Sequence, residues 1–169
     1  MATSCRRRRV VLCGVAGSGK TTVGRALAAT LGEPFLDADE FHPPANLARM
    51  RAGLPLDDAA RAPWLAAIHA RLVAEVAAGH GFVLACSALR RRYRDTLGAG
   101  LPPLQFVALQ VDPATLRARL QQRSHFFPAA LLDSQLAAWE PLADGPAVEA
   151  TGPLDAVVAR IRDHLHTAD

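Results

Sequence analysis

Lysine is all but missing from this 169-residue sequence: nineteen side chains are Lys or Arg, and the single lysine is Lys20. An arginine bias of this kind mostly reflects the coding genome. One lysine kept in such a chain marks a place where a compact ammonium is needed rather than a planar guanidinium. Cysteine is scarce as well. Cys5, Cys13 and Cys86 form no CxxC pair, and their odd number argues against a disulfide framework. Cys13 and Cys86 fall in apolar runs and read as reduced core residues. No apolar run approaches the roughly 18 residues of a membrane span, and no signal-peptide pattern opens the chain. A cytoplasmic setting with no membrane partner is the expectation. The formal net charge of +3 is too small to require a nucleic-acid partner.

What is present is apolar and alternating. Half the residues are hydrophobic, and a chain of this length reads as one domain, 1–169, that buries roughly 70% of its unfolded surface. Short β-branched or apolar runs at 10–13, 34–36, 82–86, 104–111 and 147–150 predict strands. Helical periodicity predicts helices at 21–31, 63–78 and 88–97. Another runs from Asp112-Pro113 through Leu120, and a last one starts at Pro153. Asp112 is the expected N-cap and Pro113 the first helical residue. Strands and helices in this alternation imply an α/β fold, a parallel sheet covered by helices on both faces. Residues 1–9, with Arg6 to Arg9, read as a basic N-terminal tail, a solvated terminus.

Gly14-Val15-Ala16-Gly17-Ser18-Gly19-Lys20-Thr21 matches GxxxxGK[ST] without a gap, and Thr22 follows it. The context is right, with an apolar strand before it and an amphipathic helix after it. Glycines let successive N–H groups turn inward around phosphate oxygens, and the helix N-terminus adds positive dipole. Lys20 is placed to reach the β- and γ-phosphates, and the Thr21 hydroxyl to hold Mg²⁺. This P-loop predicts binding of a nucleoside triphosphate.

The second strand ends in Asp37-Ala38-Asp39, at the sheet edge that opens toward the ligand. Alternation points both carboxylates the same way if the strand stays extended. One then binds a substrate hydroxyl and accepts its proton, while the other orients Mg²⁺ through its waters. A helix N-cap or turn acid is the other reading. If Pro43 or Pro44 opens a helix, Asn46, Arg49 and Met50 share a face, which suits a carboxylate-bearing polyol and equally an ordinary solvated surface. Tyr93 falls on an apolar stripe and reads as core; Arg90 and Arg94 align beside it. Arg119 and Arg123 align at i, i+4 and lead into Ser124-His125-Phe126-Phe127-Pro128, a candidate lid at about 123–128 over transferring phosphate. His164 and His166 read as a solvated helix end.

Together these residues resemble the gluconate kinases, a family of small P-loop kinases. The family-specific blocks are 36–43, then Asn46 with Met50, then Gly53-Leu54-Pro55-Leu56-Asp57-Asp58 with Arg61 and Pro63-Trp64-Leu65. Cys86-Ser87-Ala88-Leu89 with Tyr93-Arg94-Asp95 follows, and last His125-Phe126 with Leu131-Leu132 and Ser134-Gln135. The resemblance implies a five-stranded parallel sheet of order 2-3-1-4-5 with a mobile lid. It implies phosphorylation of D-gluconate by ATP to 6-phospho-D-gluconate, a step in sugar-acid catabolism. In that reading Asp39 deprotonates the 6-hydroxyl. Lys20, Mg²⁺ and Arg123, with Arg119 behind it, stabilise the phosphoryl group in flight. His42, Arg49 and Arg94 are the candidates for gripping the sugar acid, and a homodimer is expected. The chain departs from the family at Arg123-Ser124, where Lys-Gly is usual. Two rival readings remain: a sister kinase acting on shikimate, adenylylsulfate or a nucleoside monophosphate, and a non-catalytic nucleotide-binding or RNA-binding module. A guanine-reading Asn-Lys-x-Asp is excluded, because the lone lysine is already in the P-loop.

Overall fold

The structure, a computed structural model, describes residues 7–122 and 128–167. Five parallel strands form one sheet: β1 (Arg9–Cys13), β2 (Phe35–Asp37), β3 (Phe82–Ala85), β4 (Gln105–Gln110) and β5 (Ala147–Glu149). Their order is β2-β3-β1-β4-β5, as the resemblance implied. β1 is central, with Val11 opposite Leu84 on one side and Phe106 on the other. Among the described residues, six α-helices lie between the strands, α1 (Lys20–Leu31), α2 (Pro44–Arg51), α3 (Asp58–Ala77), α4 (Arg91–Gly98), α5 (Pro113–Gln121) and α6 (Ala129–Ala138), and a seventh, α7 (Leu154–Thr167), follows β5.

Alternation along β1 divides the core between two layers. Val10 and Leu12 face one side with Val83, Val107 and Leu109, where Val23 and Leu27 of α1 and Val157 and Ile161 of α7 cover them. Val11 and Cys13 face the other side with Phe82 and Leu84, under Trp64, Ile68 and Leu72 of α3 and Tyr93 and Leu97 of α4. A third, smaller cluster joins Val15 of the P-loop to Leu116, Leu120 and Leu132, so α5 and α6 are packed against the phosphate loop itself. Cys13 and Cys86 are buried free thiols, and burial pushes each up to about 12, which keeps them protonated and inert.

Several boundaries differ from the periodicity reading. α3 starts at Asp58, five residues before Pro63, because the Asp57 carboxylate accepts the Ala60 N–H and caps the helix there. Pro63 therefore lies inside the helix rather than opening it. α4 starts at Arg91 rather than residue 88, because Ala88 takes a left-handed conformation (φ 37°) that no helix tolerates. α6 was not expected at all. The basic N-terminus is also more than a tail. Arg9 opens β1, the Arg8 N–H and guanidinium donate to Glu33 and to the Leu165 carbonyl, and Arg7 pairs with Glu33.

Candidate active site

The loops after β1, β2 and β3 all emerge at the carboxyl edge of the sheet, and there they surround a cavity of about 320 Å³. The P-loop forms its floor. Gly14, Gly17 and Gly19 all have positive φ, and a Cβ on Gly14 would meet the Ser18 hydroxyl at 2.9 Å. The loop can close on itself only with glycine there. Lys20 and Thr21, in the first turn of α1, line the cavity with Ala16, Gly17 and Gly19. The Lys20 ammonium donates to the Val15 carbonyl at 2.9 Å, which folds it back over the loop. Thr22 is exposed in the same turn. Val15 and Ser18 are buried beneath.

Asp37 and Asp39 both line the cavity, but strand alternation is not the reason. The chain leaves β2 at Asp37 and turns through a 3-10 helix at Ala38–Phe41. Asp37 caps this turn by accepting the Asp39 N–H at 3.1 Å, so the N-cap reading holds for it. Its other oxygen accepts from the Thr21 hydroxyl at 3.0 Å. That pair is the observation that fits a divalent cation. A hydroxyl and a carboxylate beside the phosphate loop are what Mg²⁺ takes from a protein, the remaining ligands being phosphate and water. Among the described residues no cluster of three or more His, Cys, Asp or Glu could hold a metal by itself.

Asp39 presents its carboxylate to the cavity with 85% of the side chain exposed. His42 stands behind it, with Nε2 3.9 Å from Oδ1. The imidazole stacks on the Trp64 indole (centroids 4.4 Å apart, planes 7° from parallel), and the indole N–H donates to the Ala38 carbonyl at 2.7 Å. Asn46 uses its amide to donate to the Ala60 carbonyl at 2.8 Å and approaches His42 Nδ1 at 3.5 Å. A donor facing Nδ1 leaves the proton on Nε2, aimed at Asp39. Burial lowers the His42 pKa, which the Asp39 charge partly opposes. The imidazole therefore stands neutral behind the acidic side chain at neutral pH, 3.9 Å away and so farther than a hydrogen bond.

The predicted sugar-acid arginines are redistributed. Arg49 is exposed and does not line the cavity, although its guanidinium donates to the carbonyl of Pro55, which does, at 3.1 Å. Arg94 is buried, and it donates to the carbonyls of Ala88, Leu89, Glu140 and Pro141. Its four acceptors lie in the loops beside β3 and after α6, so it staples backbone and does not reach into the site. Among the described residues, the arginines that line the cavity are Arg51 and Arg61. Arg61 donates to the Tyr93 hydroxyl at 3.1 Å, which in turn donates to Asp58 at 2.5 Å. That hydrogen bond, ahead of Arg92, holds the Asp58 carboxyl below its ordinary value. Tyr93 is core, as its stripe predicted, with its hydroxyl hydrogen-bonded and its ring under the Arg61 and Arg92 guanidiniums. Arg61 carried a signal in the sequence as a family-block residue, whereas nothing there separated Arg51 from Arg49.

Arg119 sits at the outer side of the P-loop, where it donates to the carbonyls of Gly17 (3.2 Å) and Ala150 (2.9 Å). It ties the phosphate loop to the segment between β5 and α7. Arg123 and His125 lie outside the described residues, as does 123–127 of the expected lid. His164 and His166 are exposed in the last turn of α7. No described helix is long and apolar enough to cross a membrane.

A phosphate loop backed by a hydroxyl–carboxylate pair, with an open carboxylate across the same cavity, defines a P-loop phosphotransferase. A family model described as AAA domain matches residues 10–142. The chain is 46% identical over 166 residues to the gluconokinase of Gluconobacter oxydans, covering 96% of this chain and 93% of that one. The crystal structure of a gluconokinase from Sinorhizobium meliloti superposes with a TM-score of 0.80 at 39% identity, over 97% of this chain and 99% of that one. Shikimate kinase from Bacteroides thetaiotaomicron shares the fold alone, with a TM-score of 0.68 and 22% identity over 94% of this chain and 98% of that one. The chain belongs to the gluconokinase family.

Proposed function

We propose that this protein transfers the γ-phosphoryl group of ATP to the 6-hydroxyl of D-gluconate. The observation that carries the reading is one cavity bounded by the P-loop and the Thr21–Asp37 pair on one side and by Asp39, Arg51 and Arg61 on the other. Two guanidinium groups suit a carboxylate, and an exposed aspartate suits a hydroxyl. Asp39 accepts the proton of the 6-hydroxyl. The oxygen then bonds to the γ-phosphorus while the bond to the β–γ bridging oxygen breaks, and ADP leaves with that electron pair. Lys20, released from the Val15 carbonyl, follows the charge onto the bridging oxygen, and Arg123 is our candidate for the same task from the lid. Thr21 and, through water, Asp37 would hold Mg²⁺, which would supply charge neutralisation to the phosphates. Gly14 to Thr22 cradle the phosphates, and Arg119 borders the nucleotide. His42 stands behind Asp39 and need not touch the sugar.

A single kinase domain spanning 1–169, a lid at 123–128, a homodimer and a cytoplasmic setting belong to the same reading; the family resemblance supports them. The test is steady-state turnover with D-gluconate beside shikimate, glucose and a nucleoside monophosphate. The reading predicts a kcat/KM for gluconate at least a hundredfold above the other three. Comparable or greater turnover of any of them by folded, ATP-binding protein contradicts it.

A further inference from the structure

α6 has no part in the mechanism so far, yet it forms a wall of the cavity. Leu131, Ser134 and Gln135, at i, i+3 and i+4, share one of its faces, and all three line the site. The helix is held in place by Leu132, which packs with Val15 of the P-loop. From that seat Gln135 reaches the phosphate loop, where its Oε1 accepts the Ala16 N–H at 2.7 Å. A backbone N–H can only donate, so this contact fixes the orientation of the amide, and Nε2 must carry the two remaining protons. Nε2 donates to no acceptor among the described residues. It belongs to a side chain that borders the same space as Gly17, Lys20 and Thr21.

A glutamine docked in this way has one end committed to the loop and the other presented to whatever the loop binds. The P-loop is built for the β- and γ-phosphates, so the chemistry that matches two uncommitted N–H groups is a phosphate oxygen. We propose that Gln135 is a catalytic residue: its Nε2 donates to a γ-phosphoryl oxygen, strengthening as charge builds there during transfer, while its Oε1 holds α6 to the P-loop at Ala16. The proposal rests on the phosphotransferase reading of the site but not on gluconate as acceptor. It adds a fixed neutral donor to Lys20, one placed by packing.

The test compares Gln135→Glu with Gln135→Met. Glutamate keeps the acceptor for the Ala16 N–H and loses the donor; methionine keeps the length and carries no charge. Calorimetry measures affinity for the β,γ-imido analogue of ATP and for ADP, both with Mg²⁺, and thermal unfolding checks the fold. A donor to the γ-phosphate predicts that both variants lose the preference for triphosphate over diphosphate by roughly ten- to a hundredfold, the worth of a hydrogen bond to a charged oxygen. It predicts a kcat lower by roughly 10²–10³ in each. Loss with methionine alone makes Gln135 only a latch between α6 and the loop and overturns the proposal. Loss with glutamate alone reports charge repulsion and overturns it as well, as does an unchanged preference in both. The affinity ratio does not involve the acceptor. If the wild-type protein fails to phosphorylate gluconate, the acceptor reading falls and the ratio still decides the role of Gln135.

Discussion

Replacing Arg94 by methionine separates two roles that sequence alone could not. Methionine preserves the apolar stem and removes only the guanidinium, so the loss is confined to its bonds to four carbonyls and its contact over the Trp139 ring, 5.7 Å from the centroid. The Leu89 carbonyl also accepts the Glu140 N–H at 2.8 Å and stays bonded. Glu140 and Pro141 are exposed residues, and water can replace Arg94 at their carbonyls. Ala88 is fully buried, so its carbonyl is left without a donor in a dry place. An orphaned buried acceptor costs about 1–3 kcal/mol, and each of the two rim bonds contributes about 0.5–1.5 kcal/mol. The central expectation is a loss of about 4 kcal/mol, which lowers Tm by roughly 8–16 °C in a domain of this size. Thermal unfolding followed by circular dichroism reads it. At a temperature where the variant is folded, the KM for gluconate should stay within about twofold of wild type. An unchanged Tm with a KM raised tenfold would refute the reasoning and return Arg94 to the sugar-acid face.

Three further outcomes follow from the same geometry. Lys20→Met removes the only ammonium beside the phosphate loop, and kcat should fall by roughly 10²–10⁴ with Tm little changed, since a charged residue at a binding site is there for function rather than stability; wild-type turnover in stopped-time assays would contradict it. Tyr93→Phe frees the Arg61 guanidinium from its hydroxyl partner, so the KM for gluconate should rise about 2- to 12-fold with kcat and the KM for ATP nearly constant, the range set by one hydrogen bond at about 0.5–1.5 kcal/mol. Glu75 accepts from His80 and Arg71, and these bonds, His80 first, hold its carboxyl below the ordinary 4.5 against the opposing effect of burial. A carboxyl with a depressed folded pKa contributes stability above the unfolded value and loses it as pH falls through the folded one. The Tm gap between wild type and Glu75→Gln should therefore be full at pH 6 and close below pH 4.5; a gap that does not vary with pH would count against it.

The sheet was legible because strand, turn and helix signals agreed along most of the chain. Central strands buried on both faces read as unbroken apolar runs, and the P-loop locks one of them to one helix. α6 was missed for an opposite reason. Ala129–Ala138 is alanine- and leucine-rich almost all the way round, so it has no polar face to set a period. Its cavity-lining residues Ser134 and Gln135 stand out in the sequence only by family resemblance. The Asp37–Asp39 pair is legible for its chemistry, while of the two geometries the sequence allows, an extended strand or a capped turn, the chain takes the turn. Asp37 could stop the strand because its own side chain supplies the turn. The arginines were the hardest to place. Arg49, Arg51, Arg61 and Arg94 are chemically alike, and what separates them is which carbonyls lie within reach after folding, a long-range property that no local pattern carries.

The most direct measurement is the site of phosphorylation on the product. Wild-type protein with ATP, Mg²⁺ and D-gluconate, followed by phosphorus and proton NMR, should yield ADP and one phosphate monoester, on the 6-oxygen. Asp39→Asn should bind ATP with unchanged affinity and form that ester roughly 10²–10⁴ times more slowly. An ester at another oxygen, or a wild-type rate in Asp39→Asn, would contradict the assignment of Asp39 as the base that selects and activates the 6-hydroxyl.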